Sequence, residues 1–277
     1  VSAPVHSSIS GKVKDIEISQ HPGGFRSLSI VIEGDGTAKE WGGPAKDLSS
    51  ISVDALKDAI REAGIVGMGG AAFPTSVKLA PPKGKSIEAV ILNGCECEPY
   101  LTADHRIMLE EPEKVVWGLR ALMKTLAAPR GFIGIEENKP DAIEALRKAI
   151  GSSTDIQIII LEAKYPQGAE KMLIVAATGK KVPVGKLPLD VGVVVNNVGT
   201  AAAIFEAVNW GKPLIERIVT ISGNSVKEPR NLRVRVGTSF EEVLGQCGGL
   251  VEGGEVEVLN GGPMMGQPLP GLDVPVV

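Results

Sequence analysis

Cysteine is scarce in this chain: Cys95, Cys97 and Cys247 are the only three among 277 residues. Three thiols do not make a disulfide framework, and such sparing use fits a reducing compartment. Histidine is equally rare, and His6, His21 and His105 are scattered. Cys95 and Cys97 form a Cys-x-Cys pair with no second Cys/His pair to complete it, which argues against a metal or iron–sulfur site built from this chain alone. Long apolar runs are also missing. The best membrane candidate, residues 191–208, is interrupted by Asn196, Asn197 and Glu206. No block of like charge occurs and the net charge is −4, so the footprint of a nucleic-acid partner is absent. No signal-peptide pattern opens the chain. It starts at Val1 and ends in an apolar run at Val277, and both ends read as cut from a longer chain.

What is plentiful is glycine, at 34 residues, in a chain whose 43% hydrophobic and 22% charged content is that of a soluble globular protein with room for two domains or more. The densest stretch is residues 64–78, where Gly64, Gly67, Gly69 and Gly70 are followed by Ala71, Phe73, Pro74 and Lys78. Glycine lacks a Cβ and tolerates positive φ, so a backbone written this way comes close to something. Exposed N–H groups on such a loop can cradle an anion, and Lys78 adds a positive charge. The spacing matches neither a Walker A loop nor the Gly-x-Gly-x-x-Gly fingerprint. Two readings stand: an anion or cofactor loop, and a tight turn packing a helix (residues 52–63) against a sheet.

Texture divides the chain at about residues 45 and 212. Residues 8–18 and 27–33 alternate apolar and polar positions around the turn signal His21-Pro22-Gly23-Gly24, as in part of a small barrel. Strands and helices then alternate. Apolar strands are expected at 89–92, 131–135, 156–161 and 191–195, with helices opening at Pro112 and Pro140 and others at 168–178 and 200–210. Apolar strands between amphipathic helices predict a parallel sheet covered on both faces, with ligands at the carboxyl ends of its strands. Beyond residue 213, strands at 218–222, 232–236 and 256–259 surround a helix introduced by the capping box Ser239-Phe-Glu-Glu242, a small β-grasp-like unit.

Each middle-region strand is followed by an unusual polar segment: residues 93–99, 136–138, 164–170 and 196–200. Carboxylates, carboxamides, a tyrosine and few cations suit a polar planar heterocycle with a ribityl or ribose chain. Bland readings stand beside this one. Asn196 and Asn197 can simply cap the next helix, Glu96 and Glu98 can be solvated, Tyr165-Pro166 can be a turn, and Cys97 can be a small buried residue.

With these residues assembled, the chain resembles the RnfC subunit of the Rnf electron-transport complex and, more distantly, the flavin-carrying subunit of respiratory complex I. The resemblance lies in Gly-x-Gly-Gly-Ala-x-Phe-Pro-Thr (residues 67–75), Asn-Gly-x-Glu-Cys-Glu-Pro-Tyr (93–100), Tyr-Pro-Gln-Gly-Ala-Glu-Lys (165–171) and Asn-Asn-Val-x-Thr (196–200). It implies an α/β fold: a Rossmann-like parallel-sheet FMN/NADH domain (46–212), a partial barrel-sandwich segment before it (1–45) and a soluble-ligand-binding β-grasp domain after it (213–277).

The resemblance further implies FMN as cofactor, NAD(H) as substrate, and 4Fe–4S clusters only in a C-terminal segment missing here. Other subunits of the membrane complex would be partners, ferredoxin indirectly so, at the cytoplasmic side of the membrane. Carried over by motif, Gly67, Gly69, Gly70, Ala71 and Lys78 wrap the FMN. Asn93, Glu96 and Glu98 meet its ring and ribityl chain, Asn196, Asn197 and Thr200 its phosphate end, and Phe73 the adenine or ring side. Tyr165 and Gly168 belong to the same site, and Glu170 is the catalytic candidate near the nicotinamide. Met68, Ala72, Ala169 and Cys95 depart from the pattern. The alternatives are a soluble cobalamin-reductase-like flavoprotein and a docking protein without flavin.

Overall fold

A computed structural model describes residues 2–277. In chain order it contains β1 (Gly11–Gln20), β2 (Arg26–Gly34), α1 (Val53–Glu62), α2 (Thr75–Lys78), β3 (Ala89–Asn93), α3 (Ala103–Glu110), α4 (Pro112–Leu126), β4 (Arg130–Glu136) and α5 (Pro140–Ile150). There follow β5 (Ile156–Leu161), α6 (Glu170–Thr178), β6 (Val193–Asn197), α7 (Val198–Trp210), β7 (Glu216–Ile221), β8 (Arg230–Arg235), α8 (Phe240–Gly245), β9 (Leu259–Asn260) and β10 (Gln267–Pro268). Two compact units emerge: one of residues 2–6, 42–97 and 104–214, the other of residues 7–41, 98–103 and 215–277.

The first unit holds a four-stranded parallel sheet in the order β5-β4-β3-β6. Strands β3, β4 and β6 are buried along nearly their whole length and apolar because both faces are covered, whereas β5 at the edge leaves Gln157 and Ile160 exposed. Ala89, Ile91, Val193 and Val195 pack with Leu173 and Ile174 of α6. The apolar stripe expected on the helix opened by Pro112 is real: Val115, Val116, Leu119, Leu122, Met123 and Leu126 of α4 are all buried. Helices α4 and α7 approach so closely that a Cβ on Gly118 would lie 2.1 Å from the Ala201 carbonyl oxygen. Ser52 caps α1 by accepting from the Ala55 N–H at 3.2 Å.

Two expectations shift here. The last strand of the sheet begins at Val193 and runs to Asn197; residues 188–191 form a 3-10 turn instead. Helix α3, residues 103–110, carries little apolar periodicity and was not expected from the pattern.

The second unit pairs β1 with β2 and β7 with β8, each antiparallel. Ser239 caps α8 as the capping box predicts, accepting from the Glu242 N–H at 3.1 Å. Ile221, Val234, Val243, Leu244, Cys247 and Val276 form the core. The expected third strand at 256–259 shrinks to a two-residue pairing of β9 with β10, and the segment 251–256 before it is exposed. The β1–β2 ribbon matches Val13 with Ile32, Ile16 with Ile30 and Ile18 with Leu28 across the strands. Its apolar side stays open: Ile16, Ile18, Leu28 and Ile30 are 58%, 60%, 73% and 61% exposed. Among the described residues no helix is long and apolar enough to cross a membrane.

Candidate functional site

The sheet order creates the site. From β3 the chain crosses to β4 on one side, whereas β6 pairs with β3 on the other, with Asn93 opposite Gly134 and Asn197. The direction of strand addition therefore reverses at β3, while the helices that follow β3 and β6, α4 and α7, pack against each other. A crevice at such a switch point is where open α/β sheets bind ligands.

The glycine loop sits at this crevice. Its base is closed by Thr75 N–H to Ile65 O at 3.0 Å and Gly67 N–H to Phe73 O at 2.9 Å. Its tip, residues 69–73, is exposed. Gly70 takes φ +113°, which only glycine adopts readily, and Ala72 is held at φ 47° despite its Cβ. The loop is fastened to the sheet edge by Met68 N–H donating to Thr200 Oγ at 3.0 Å. Gly69 lies against Asn197, where a Cβ would stand 3.5 Å from that residue's own Cβ.

At the end of α2, Lys78 Nζ donates to the Val195 carbonyl at 2.7 Å and lies 4.0 Å from a carboxylate oxygen of Glu170. Burial pushes its pKa below the ordinary lysine value of 10.5, and Glu170 partly offsets that shift. Glu170 opens α6 and its side chain is 45% exposed. Before it, the Tyr165–Pro166 peptide is cis, and the Tyr165 ring is 42% exposed. Phe73 is 41% exposed on the loop.

Asn93 ends β3 and bridges two segments: its Oδ1 accepts from the Cys95 N–H at 3.1 Å and its Nδ2 donates to Gly168 O at 2.8 Å. Gly168 is needed there, since a Cβ would lie 3.2 Å from both Cβ and O of Cys95. Cys95 itself is pushed up to about 12 by burial first and by the Glu136 charge second. Glu96 turns its carboxylate to the start of α3, accepting from Asp104 N–H at 2.9 Å and His105 N–H at 2.8 Å. Burial raises its pKa against those two amides. Glu98 belongs to the second unit, where its Oε2 accepts from the Met264 N–H at 3.0 Å.

Asn197 caps α7, accepting from Gly199 and Thr200 N–H groups at 2.8 and 3.3 Å, and its Nδ2 donates to Asp104 at 2.6 Å. Thr200 is fully buried beneath it. Asn196 differs from its neighbour: it is 4% exposed and its Nδ2 has no hydrogen-bond partner, as is true of Thr75 Oγ at the glycine loop. A buried polar atom without a partner is costly, so these two donors mark where a ligand's acceptors are expected. Among the described residues no group of three or more His, Cys, Asp or Glu side chains is placed to hold a metal ion.

The structure thus gathers the glycine loop, Lys78, Asn93, Glu96, Gly168, Glu170, Asn196, Asn197 and Thr200 around one sheet edge. Sequence reasoning missed Asp104 and Lys139. Lys139 is buried and pairs with Glu136 at 2.7 Å, and Glu136 in turn accepts from the Glu96 N–H at 3.1 Å. The polar run at 136–138 was a signal for Glu136; nothing in the local pattern marked Asp104.

The fold and this site define a class, and the chain belongs to it: the family described as the Nuo51 FMN-binding domain matches residues 60–206. An SLBB domain matches residues 218–268, and the RnfC barrel sandwich hybrid domain residues 1–37. Over its whole length the chain is 53% identical to the RnfC-type subunit of the proton-translocating ferredoxin:NAD(+) oxidoreductase complex of Clostridium ljungdahlii, spanning 61% of that protein. It is 51% identical to the counterpart in the Na(+)-translocating complex of Acetobacterium woodii, spanning 63% of it. The chain is thus homologous to the RnfC-type subunits of these complexes and extends over less than two thirds of these relatives. A crystal structure of an NAD+-reducing NiFe-hydrogenase in the H2-reduced state shares the fold, with TM-score 0.69 at 22% identity over 85% of this chain and 47% of that one.

Proposed function

We propose that this chain is the FMN- and NAD(H)-binding part of an RnfC-type subunit, exchanging hydride between nicotinamide and flavin within a ferredoxin:NAD oxidoreductase complex. The observation that carries this reading is the glycine loop at the β3/β6 switch point, with Lys78 at its end and the unpartnered Asn196 amide at the end of β6. That donor set fits FMN: exposed loop backbone and one cation for a phosphate, and the uncommitted Asn196 amide for an acceptor of the heterocycle. Bound FMN would supply the means to take a hydride pair and release single electrons.

The chain's own residues bind and orient. Gly67, Gly69, Gly70 and Ala71 offer backbone, and Lys78 supplies charge to the ligand. Asn93 and Gly168 hold the β3 and α6 segments at a fixed separation, and Thr200 anchors the loop. Glu170, next to Lys78 and half exposed, is the side chain placed to meet a nicotinamide; Phe73 and Tyr165 offer exposed rings for stacking. Glu98 joins the set as an expectation from the motif. In this reading residues 1–45, 46–212 and 213–277 are the barrel-sandwich, FMN and β-grasp parts. Electrons continue to iron–sulfur clusters outside this sequence. The partners are the remaining subunits of the complex, at the cytoplasmic face of the membrane, and ferredoxin indirectly.

The test begins by adding FMN to the purified chain under anaerobic conditions. NADH should then bleach the flavin absorbance, and Glu170→Gln should slow bleaching more than it weakens FMN binding. Flavin that binds and is reduced by dithionite but never by NADH would leave a docking protein without nicotinamide chemistry.

A further inference from the structure

One continuous chain of hydrogen bonds runs along the site edge. Lys139 Nζ donates to Glu136, and Glu136 accepts from the Glu96 N–H. The Glu96 carboxylate accepts from the Asp104 N–H, and the Asp104 carboxylate accepts from Asn197 Nδ2 at 2.6 Å. Asn197 Oδ1 then accepts from the Gly199 and Thr200 N–H groups, and Thr200 Oγ accepts from the Met68 N–H. The chain starts on the buried end of β4, passes through the β3 exit segment and the start of α3, crosses to the end of β6, and finishes in the glycine loop. At every other joint it uses backbone or neighbours along the sequence. At Asp104 it crosses between two segments on side chains alone, 93 residues apart.

We propose that Asp104 is a positioning residue of the flavin site, joining the β3 exit segment to the α7 cap and, through Thr200, setting the place of the glycine loop. The inference rests on the FMN reading above. Its physical content is geometric. Asn197 divides its carboxamide between two sets of partners. Its Oδ1 caps α7 and its Nδ2 donates to Asp104, so the Asp104 bond ties the capping side chain to the start of α3. The acceptor is a carboxylate, the group that makes the stronger kind of hydrogen bond, and Asp104 stands beside the positive end of the α7 dipole. Without it, the Asn197 carboxamide is held by its capping bonds alone, the α7 cap loosens, and the Thr200–Met68 bond that holds the loop loses support.

The bond has a direction, and a reciprocal swap tests it. Asn197→Asp keeps a good capping residue, so the helix still forms, but sets two carboxylates face to face. Asp104→Asn added to it restores the bond with donor and acceptor exchanged. Two readouts are followed: hydrogen–deuterium exchange at the Met68 amide without any ligand, and FMN affinity by fluorescence quenching. Asn197→Asp should speed Met68 exchange and weaken FMN by about tenfold or more, the worth of a hydrogen bond to a charged group. The double variant should bring both readouts most of the way back. A wild-type chain that takes up no FMN overturns the flavin reading and this inference with it. A wild-type chain that binds FMN while Asn197→Asp leaves Met68 exchange and affinity unchanged overturns the inference alone, as does a double variant with no recovery.

Discussion

Single residues in this site are held in electrostatic states that solution chemistry can read. Lys78 is buried enough for its pKa to fall below 10.5. Its charged form is the one an anionic ligand favours, so FMN affinity should decline as pH rises through that lowered pKa, before an ordinary lysine would titrate. A Lys78→Met variant should lose this pH dependence and bind FMN about 1.5–3 kcal/mol more weakly at neutral pH; titrations from pH 7 to 10 on both proteins check it. Cys95 is the opposite case. With its pKa at about 12, the reactive thiolate is about a thousandfold rarer near neutral pH than for a thiol at 9.0. Peptide mapping after iodoacetamide treatment of the folded protein at pH 8 should therefore find Cys95 unmodified long after denatured controls have reacted. Ala72 adds a third readout. Its φ of 47° is unfavourable for a residue with a Cβ, so Ala72→Gly should raise the melting free energy, or leave it level if the gain of about 1 kcal/mol is cancelled by added freedom in the unfolded chain. Much of this scale was legible from residue types, since glycines, asparagines and Lys78 were all chosen for chemistry they can perform. The capping reading of Asn197 stands as the sequence offered it. What was not legible is that Glu96 spends its carboxylate on the start of α3, and a partner chosen across 93 residues of chain leaves no local trace.

Elements were read most accurately where one physical signal dominated. The strand at residues 156–161 and the helix at 140–150 stand as the pattern placed them, because apolar β-branched residues mark the strand and Pro140 and Gly151 bracket the helix. The errors fall where signals compete. Val191 and Gly192 look like strand, yet Pro188 starts a 3-10 turn that ends at Gly192 with φ 74°. Helix α3 has only Ile107 and Met108 buried, too little apolar pattern to notice, and depends on Glu96 for its start. The α4–α7 contact gives the sharpest test at this scale. Gly118→Ala would push a methyl group to 2.1 Å from the Ala201 carbonyl, a backbone atom in a buried helix. The two helices must separate, which should cost about 1–3 kcal/mol of stability in urea denaturation. The same change at exposed Gly245, where a Cβ meets nothing within 4 Å, should cost far less.

At the scale of the whole molecule, the sequence announced a parallel sheet but not its order. Periodicity tells which residues are buried in a strand and is silent about which strand lies beside it. The reversal at β3, which makes the crevice, therefore came from topology and not from any motif. The resemblance carried by residues 67–75, 93–100, 165–171 and 196–200 supplied the function that periodicity could not. The open side of the β1–β2 ribbon remains, and it has a consequence for anyone who handles this chain in solution. Apolar pairs on a water-exposed ribbon make encounters between molecules attractive, so the osmotic second virial coefficient should be negative and fall further with added sulfate. Replacing Leu28 and Ile16 with lysine should turn it positive in static light scattering while leaving the urea midpoint of the parallel-sheet unit where it was. Colloidal behaviour and fold stability, usually measured as one property, are in this chain written into different residues.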